Sequence, residues 1–154
     1  MSFRIRGLDA ELFAHLFELD DAALAQHRAR RLTSDACPGF PCRVSLTDAA
    51  VGDAVILVNF EHQAADTPFR ARHAIYVRPG EQAYDAVDEI PGQLRTRTLS
   101  LRAFDGAGYM RDAKLVDGKL LEAAIADLLG QSSVSYIQAH FAAYGCYAAR
   151  IERA

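Results

Sequence analysis

Three thiols, five imidazoles and a cation set that is nearly all arginine make up the reactive inventory of this chain, in which only Lys114 and Lys119 are lysine. The densest local chemistry is Cys37-Pro38-Gly39-Phe40-Pro41-Cys42-Arg43, two thiols and a guanidinium in a turn stiffened by two prolines. Three chemistries suit such residues. Structural zinc favours closely spaced ligand pairs. Cys37 and Cys42 form the one such pair, constrained by Pro38 and Pro41, and no compact His-x-x-x-His or second Cys-x-x-Cys accompanies it, so no metal site is expected. Nucleophilic catalysis needs a thiolate supported by a base or by cations. Cys42 beside Arg43, and Cys146 in reach of His140, could each meet that need, with His62 as a further base. Anion recognition asks for less geometry. Arg70 and Arg72 flank Ala71 and point the same way if extended, and with Arg43 and Arg150 they could surround a carboxylate or phosphate.

Composition narrows the setting. The 154 residues suit one domain, 1–154, with a real core. A net charge of −3 does not suggest a nucleic-acid binder. The opening Met1-Ser2-Phe3-Arg4-Ile5-Arg6 is not a signal peptide, and no apolar run is long enough to span a bilayer, so a cytoplasmic location without membrane contact is expected. An odd number of cysteines excludes complete pairing within the chain, and a reducing compartment would keep them as thiols. Asp105-Gly106-Ala107-Gly108 lacks the third glycine and following helix of a nucleotide loop, and no Gly-x-Ser-x-Gly elbow occurs; no cofactor is expected.

The elements that must position these groups follow from periodicity. Phe3 and Ile5 alternate with arginines, as in a short strand. Asp9 is placed to cap a helix carrying Leu12, Phe13, Leu16 and Phe17 on one stripe, and Asp20 to cap another ending near Gln26. The basic run His27–Arg31 reads as a solvated edge, and 33–41 as irregular. Cys42, Val44 and Leu46 alternate with Arg43 and Ser45, predicting a half-buried strand. Val55–Val58 predicts a central strand ending in Asn59-Phe60-Glu61-His62-Gln63. Further strands are expected over 74–78, 98–104, on to Val116, over 134–141 and over 146–152, with 64–72 and 80–92 as loops. A helix capped by Asp117 and stopped at Gly130 carries Leu120, Leu121, Ala124, Ile125, Leu128 and Leu129. Strands in runs with separate helices predict an α+β fold: a mostly antiparallel sheet packed with two or three helices.

The last hairpin permits a finer expectation. A loop with an odd number of residues sets His140 opposite Cys146. Ile137, Ala139, Tyr147, Ala149 and Ile151 then share an apolar face, and Tyr136, Gln138, His140, Cys146 and Arg150 share the other.

Several segments together resemble a known bacterial family. Gly39-Phe40-Pro41-Cys42-Arg43-Val44-Ser45-Leu46, Asn59-Phe60-Glu61-His62-Gln63, Pro68-Phe69-Arg70-Ala71-Arg72, Gly145-Cys146-Tyr147-Ala148-Ala149-Arg150 and the opening Phe3-Arg4-Ile5-Arg6-Gly7-Leu8 are similar to the family called domain of unknown function 1203. The resemblance implies a soluble single-domain bacterial protein and implies no activity. The reading it leaves in front is a binding domain for a small, anionic molecule, with Cys42, Arg43, His62, Arg70, Arg72, His140, Cys146 and Arg150 as candidate wall. The alternatives are an enzyme pairing Cys146 or Cys42 with His140 or His62, and an interaction protein without a pocket. Nothing in the sequence sets the oligomeric state.

Overall fold

The computed structural model describes all 154 residues, Met1–Ala154. It contains two antiparallel sheets and few helices, an α+β fold as the periodicity predicts. The larger sheet has six strands: β1 (Phe3–Arg6), β5 (Asp85–Val87), β6 (Thr98–Phe104), β7 (Met110–Asp117), β8 (Tyr136–Phe141) and β9 (Tyr147–Arg153). Their spatial order is β5-β1-β9-β8-β6-β7. The smaller sheet orders β2 (Ala29–Thr33), β3 (Ala54–Gln63) and β4 (Ala71–Val77) as β2-β3-β4. Helices α1 (Asp21–Gln26), α2 (Gly92–Arg95) and α3 (Leu121–Leu129) complete the chain.

Each sheet buries one face against helical cover. Leu121, Ile125, Leu128 and Leu129 of α3 pack on Leu99, Leu101, Ala103, Ile137, Ala139, Ala149 and Ile151, all one pleat face of the large sheet. Asp117 accepts a hydrogen bond from the Lys119 N–H ahead of α3, satisfying a donor that the helix start leaves free. Phe13, Leu16 and Leu24 cover Ile56, Val58, Ile75 and Val77 of the small sheet. The two sheets meet where His62 and Gln63 of β3 reach Gln138 and Tyr136 of β8.

Several local expectations are corrected. The segment after Asp9 forms two successive 3₁₀ turns, Ala10–Leu12 and Ala14–Glu18, instead of one helix, and Leu12 is exposed. The basic run is not merely solvated: 29–33 is strand β2, paired along β3. The short elements β5 and α2 fall in segments too brief for periodicity to reveal. The strand expected over 42–46 is a tight turn joined to β4 by one parallel bridge, Cys42 with Tyr76. The cause is where its backbone hydrogen bonds go. Arg43 N–H donates to Tyr76 O, Arg43 O accepts from Leu8 N–H, and Val44 O accepts from Tyr84 N–H. Three separate segments are thereby tied to one turn, which no single strand ladder could do. Gly7 makes the approach possible, since a Cβ there would collide with the Val44 carbonyl.

Candidate functional site

The junction between the sheets is organised by two β-bulges. On β3, Glu61 pairs with Arg72 and Gln63 with Ala71, so His62 is an extra residue in the ladder. On β9, Ala149 pairs with Ala139 and Tyr147 with His140, so Ala148 is extra. Bulges bend a strand and re-aim its side chains. Here they bring the His62 and His140 rings to 4.9 Å between centroids, with Tyr147 stacked on His62 at 5.6 Å. The second bulge corrects the hairpin expectation. A loop setting His140 opposite Cys146 would put Ala148 across from Gln138, whereas Gln138 pairs with Arg150 and His140 with Tyr147; Gln138 and Arg150 keep the polar face, and Tyr147 joins it.

Gln138 ties this cluster together. Its amide N–H donates to the His62 carbonyl at 2.8 Å, which fixes the orientation of the amide. Its Oε1 then lies 2.9 Å from His62 Nδ1 and 3.1 Å from His140 Nε2. The other His140 nitrogen, Nδ1, lies 3.0 Å from Gly145 O. A neutral ring has one N–H for these two oxygens. The oxygens favour a second proton, but burial and the nearby Arg102 guanidinium oppose it more strongly and hold the His140 pKa down to about 3. Burial lowers that of His62 as well.

Beside this cluster opens a cavity of about 700 Å³. Its lining includes Arg43, Arg97, His73 and Cys146 among Leu57, Tyr76, Phe141 and Tyr144. It includes no aspartate or glutamate, although acidic residues outnumber lysine and arginine by 20 to 17 in the chain.

Arg43 is the central group, only 1% exposed. Its Nε–H donates to Tyr147 O at 2.7 Å, Nη1 donates to Pro41 O, and Nη2 donates to Cys146 Sγ at 3.0 Å. The guanidinium carbon lies 4.8 Å from the centre of the Phe141 ring, and that of Arg97 lies 5.0 Å from the same ring. Burial lowers the Arg43 pKa, yet a guanidinium starts so high that it keeps its charge. Three of its five N–H groups have protein acceptors, none of them a carboxylate. Arg97 differs, donating to both oxygens of Asp48 at 2.9 and 3.0 Å.

The residues singled out from sequence divide accordingly. Arg43 and Cys146 line the cavity, and His62 and His140 form the adjoining cluster. Cys42 does not join them. Its side chain is packed with Ala49 and Val55, its Sγ lies 3.5 Å from Phe40 O, and burial pushes its thiol up to about 12. Neither thiol hydrogen-bonds a histidine in this structure: Cys42 Sγ lies by Phe40 O, and Cys146 Sγ receives Arg43 Nη2. Arg70 and Arg72 do not line the cavity; they are about half exposed and engage Glu61 and Asn59. Arg150 stays on the polar hairpin face but stacks on Tyr136 at 4.0 Å and bonds Glu152. Gln138 is on the polar hairpin face as expected but outside the candidate wall, and Arg97, His73 and Arg102 are additions of the structure. Arg102 is aligned with Gln138 across β6 and β8 and makes no hydrogen bond or ion pair with protein. Strand alternation around Leu101 and Ala103 was the available signal for Arg102; no local pattern marked Arg97.

A family model described as "Protein of unknown function (DUF1203)" matches residues 39–153. The chain belongs to this family. The DUF1203 match contains Arg43, the cavity lining from Gly39 onward and both bulges, whereas β1, α1 and β2 precede it. No curated protein and no solved structure matches the chain. No helix of this DUF1203 protein is long and apolar enough to cross a membrane.

Proposed function

We propose that this protein binds a small organic anion in the junction cavity, the anionic group on Arg43 and Arg97 and an apolar or aromatic body against Tyr76, Phe141 and Tyr144. The observation that carries this reading is the Arg43 guanidinium, buried in the cavity wall with two N–H groups uncommitted and no carboxylate among its partners. A buried cation without a counter-charge is costly, and an incoming carboxylate or phosphate would lower that cost. The volume supports a metabolite-sized guest, since ligand pockets run from about 300 to 1,000 Å³. The three free thiols fit a reducing compartment, and we place the protein in a bacterial cytoplasm on that ground and on its family.

Phenylacetate against phenylacetamide is the direct test, because the two differ only in charge at the polar end. Calorimetric titration is expected to show saturable binding of phenylacetate, weakened as inorganic phosphate is added, and at least about tenfold weaker binding of the amide. Equal binding of both, or none of either with phosphate also inert, would remove the proposal.

A further inference from the structure

Cys146 combines a cation at its sulfur with a place in the cavity wall. It lies in the cavity wall, 7% exposed, immediately after Gly145, whose φ of +76° is a backbone setting glycine adopts freely. The turn is held on both sides: Gly145 N–H donates to Phe141 O at 2.8 Å and Phe141 N–H donates to Cys146 O at 2.9 Å. Arg43 Nη2 then meets the sulfur at 3.0 Å. The thiolate is the nucleophile, and a guanidinium N–H at hydrogen-bond distance can hold it once formed. The same guanidinium is the group that would receive an incoming anion. A bound carboxylate and the Cys146 sulfur would therefore share one cation, which brings the rest of the guest within the cavity next to the sulfur.

We propose that Cys146 is a nucleophilic site for small electrophiles that carry a carboxylate, guided and held by Arg43 and Arg97. The inference rests on the anion-binding reading and adds a reaction to it. The thiol releases its proton to solvent, the sulfur forms a bond to the electrophilic carbon, and the bond from that carbon to its leaving group breaks, the leaving group departing with the electron pair. No oxidant, reductant or metal is required. Arg43 stabilises the sulfur's charge before attack and the carboxylate throughout.

The three cysteines supply their own controls, because Cys37 is exposed and Cys42 is sealed in a separate packing cluster. Iodoacetate and iodoacetamide deliver the same carbon with and without a carboxylate, and peptide mass spectrometry reads each cysteine separately. The iodoacetate-to-iodoacetamide rate ratio at Cys146 is expected to exceed the ratio at Cys37 by about tenfold or more, with Cys42 unmodified in the folded protein. Phenylacetate should slow the iodoacetate reaction at Cys146 and leave Cys37 unaffected. Arg97→Gln, which spares the buried Arg43, should bring the Cys146 ratio down toward that of Cys37. A Cys146 inert to both reagents, or showing the Cys37 ratio, overturns the inference. The phenylacetate titration then separates the two ideas: saturable binding with an inert or unselective Cys146 sinks only the nucleophile, and no binding sinks the cavity reading with it.

Discussion

Arg70 and Arg72 lie along the small sheet with Glu61 within reach of both, whereas Arg43 lies inside the junction with no carboxylate at all. The outer pair is about half exposed, at 55% and 46%, and Glu61 holds Arg70 at 2.5 Å and Arg72 at 3.6 Å. Water already solvates these charges, so their pairing changes little. Arg43 has lost its water and is held by two carbonyls, a sulfur and a ring. From sequence alone all three looked equivalent. The difference is that an exposed arginine already has its counter-charge, while the buried one is structurally committed and electrostatically incomplete, which is the condition a ligand can relieve.

Removing Arg43 should give the largest effect. Arg43→Met takes the Arg43 donor from the buried Tyr147 O and the part-buried Pro41 O, and the loss is expected to be about 3 kcal/mol or more. Urea unfolding measures it, and an unchanged midpoint would break the comparison.

The next effect is that of His140 on pH dependence. An unfolded histidine takes up its proton near pH 6.5, while the folded ring does so only near 3. The unfolded state therefore binds more protons between these values, and stability, complete above about pH 6.5, declines as pH falls toward 3. The slope from this one ring is at most about 1.4 kcal/mol per pH unit. His62 acts in the same direction. Unfolding measured from pH 7 to 4.5 should be distinctly flatter for His140→Gln than for the native protein; equal slopes would show that the ring is solvated.

Arg97 tests the cavity while leaving Arg43 in place, although its loss also deprives Asp48 of its cation. Arg97→Gln is expected to weaken phenylacetate binding by about tenfold. Smallest of all should be the effect of Arg70→Ala and Arg72→Ala, which are expected to leave the unfolding midpoint and phenylacetate affinity unchanged. A fall in affinity on losing either would place a ligand on the outer strand and reverse the comparison.

The architecture was largely legible, because Leu99, Leu101 and Ala103, and the stripe of α3, carry clean periods of two and 3.6. The site was legible only in part. Arg43 and Cys146 could be named from their neighbours, but their contact spans 103 residues of sequence, and Arg97 reaches Asp48 across 49. The alternation at 42–46 resembles a strand while its backbone serves three other segments. The hairpin faces held for Ile137, Ala139, Ala149 and Ile151, but the expected register did not: Gln138 pairs with Arg150, and at His140 an unpaired Ala148 shifts the pairing to Tyr147.

That one residue has a consequence for how the chain tolerates changes in length. Exposed loops absorb insertions and deletions readily. At Ala148, deletion would leave Tyr147 opposite His140 but remove the bend that the extra residue gives the strand. The ring stacked on His62 and the carbonyl that receives Arg43 lie on that bent strand and would shift with it. The same count applies at His62, where the extra residue is the histidine itself. Composition can drift around this junction, but the spacing of its strands must be kept to the residue.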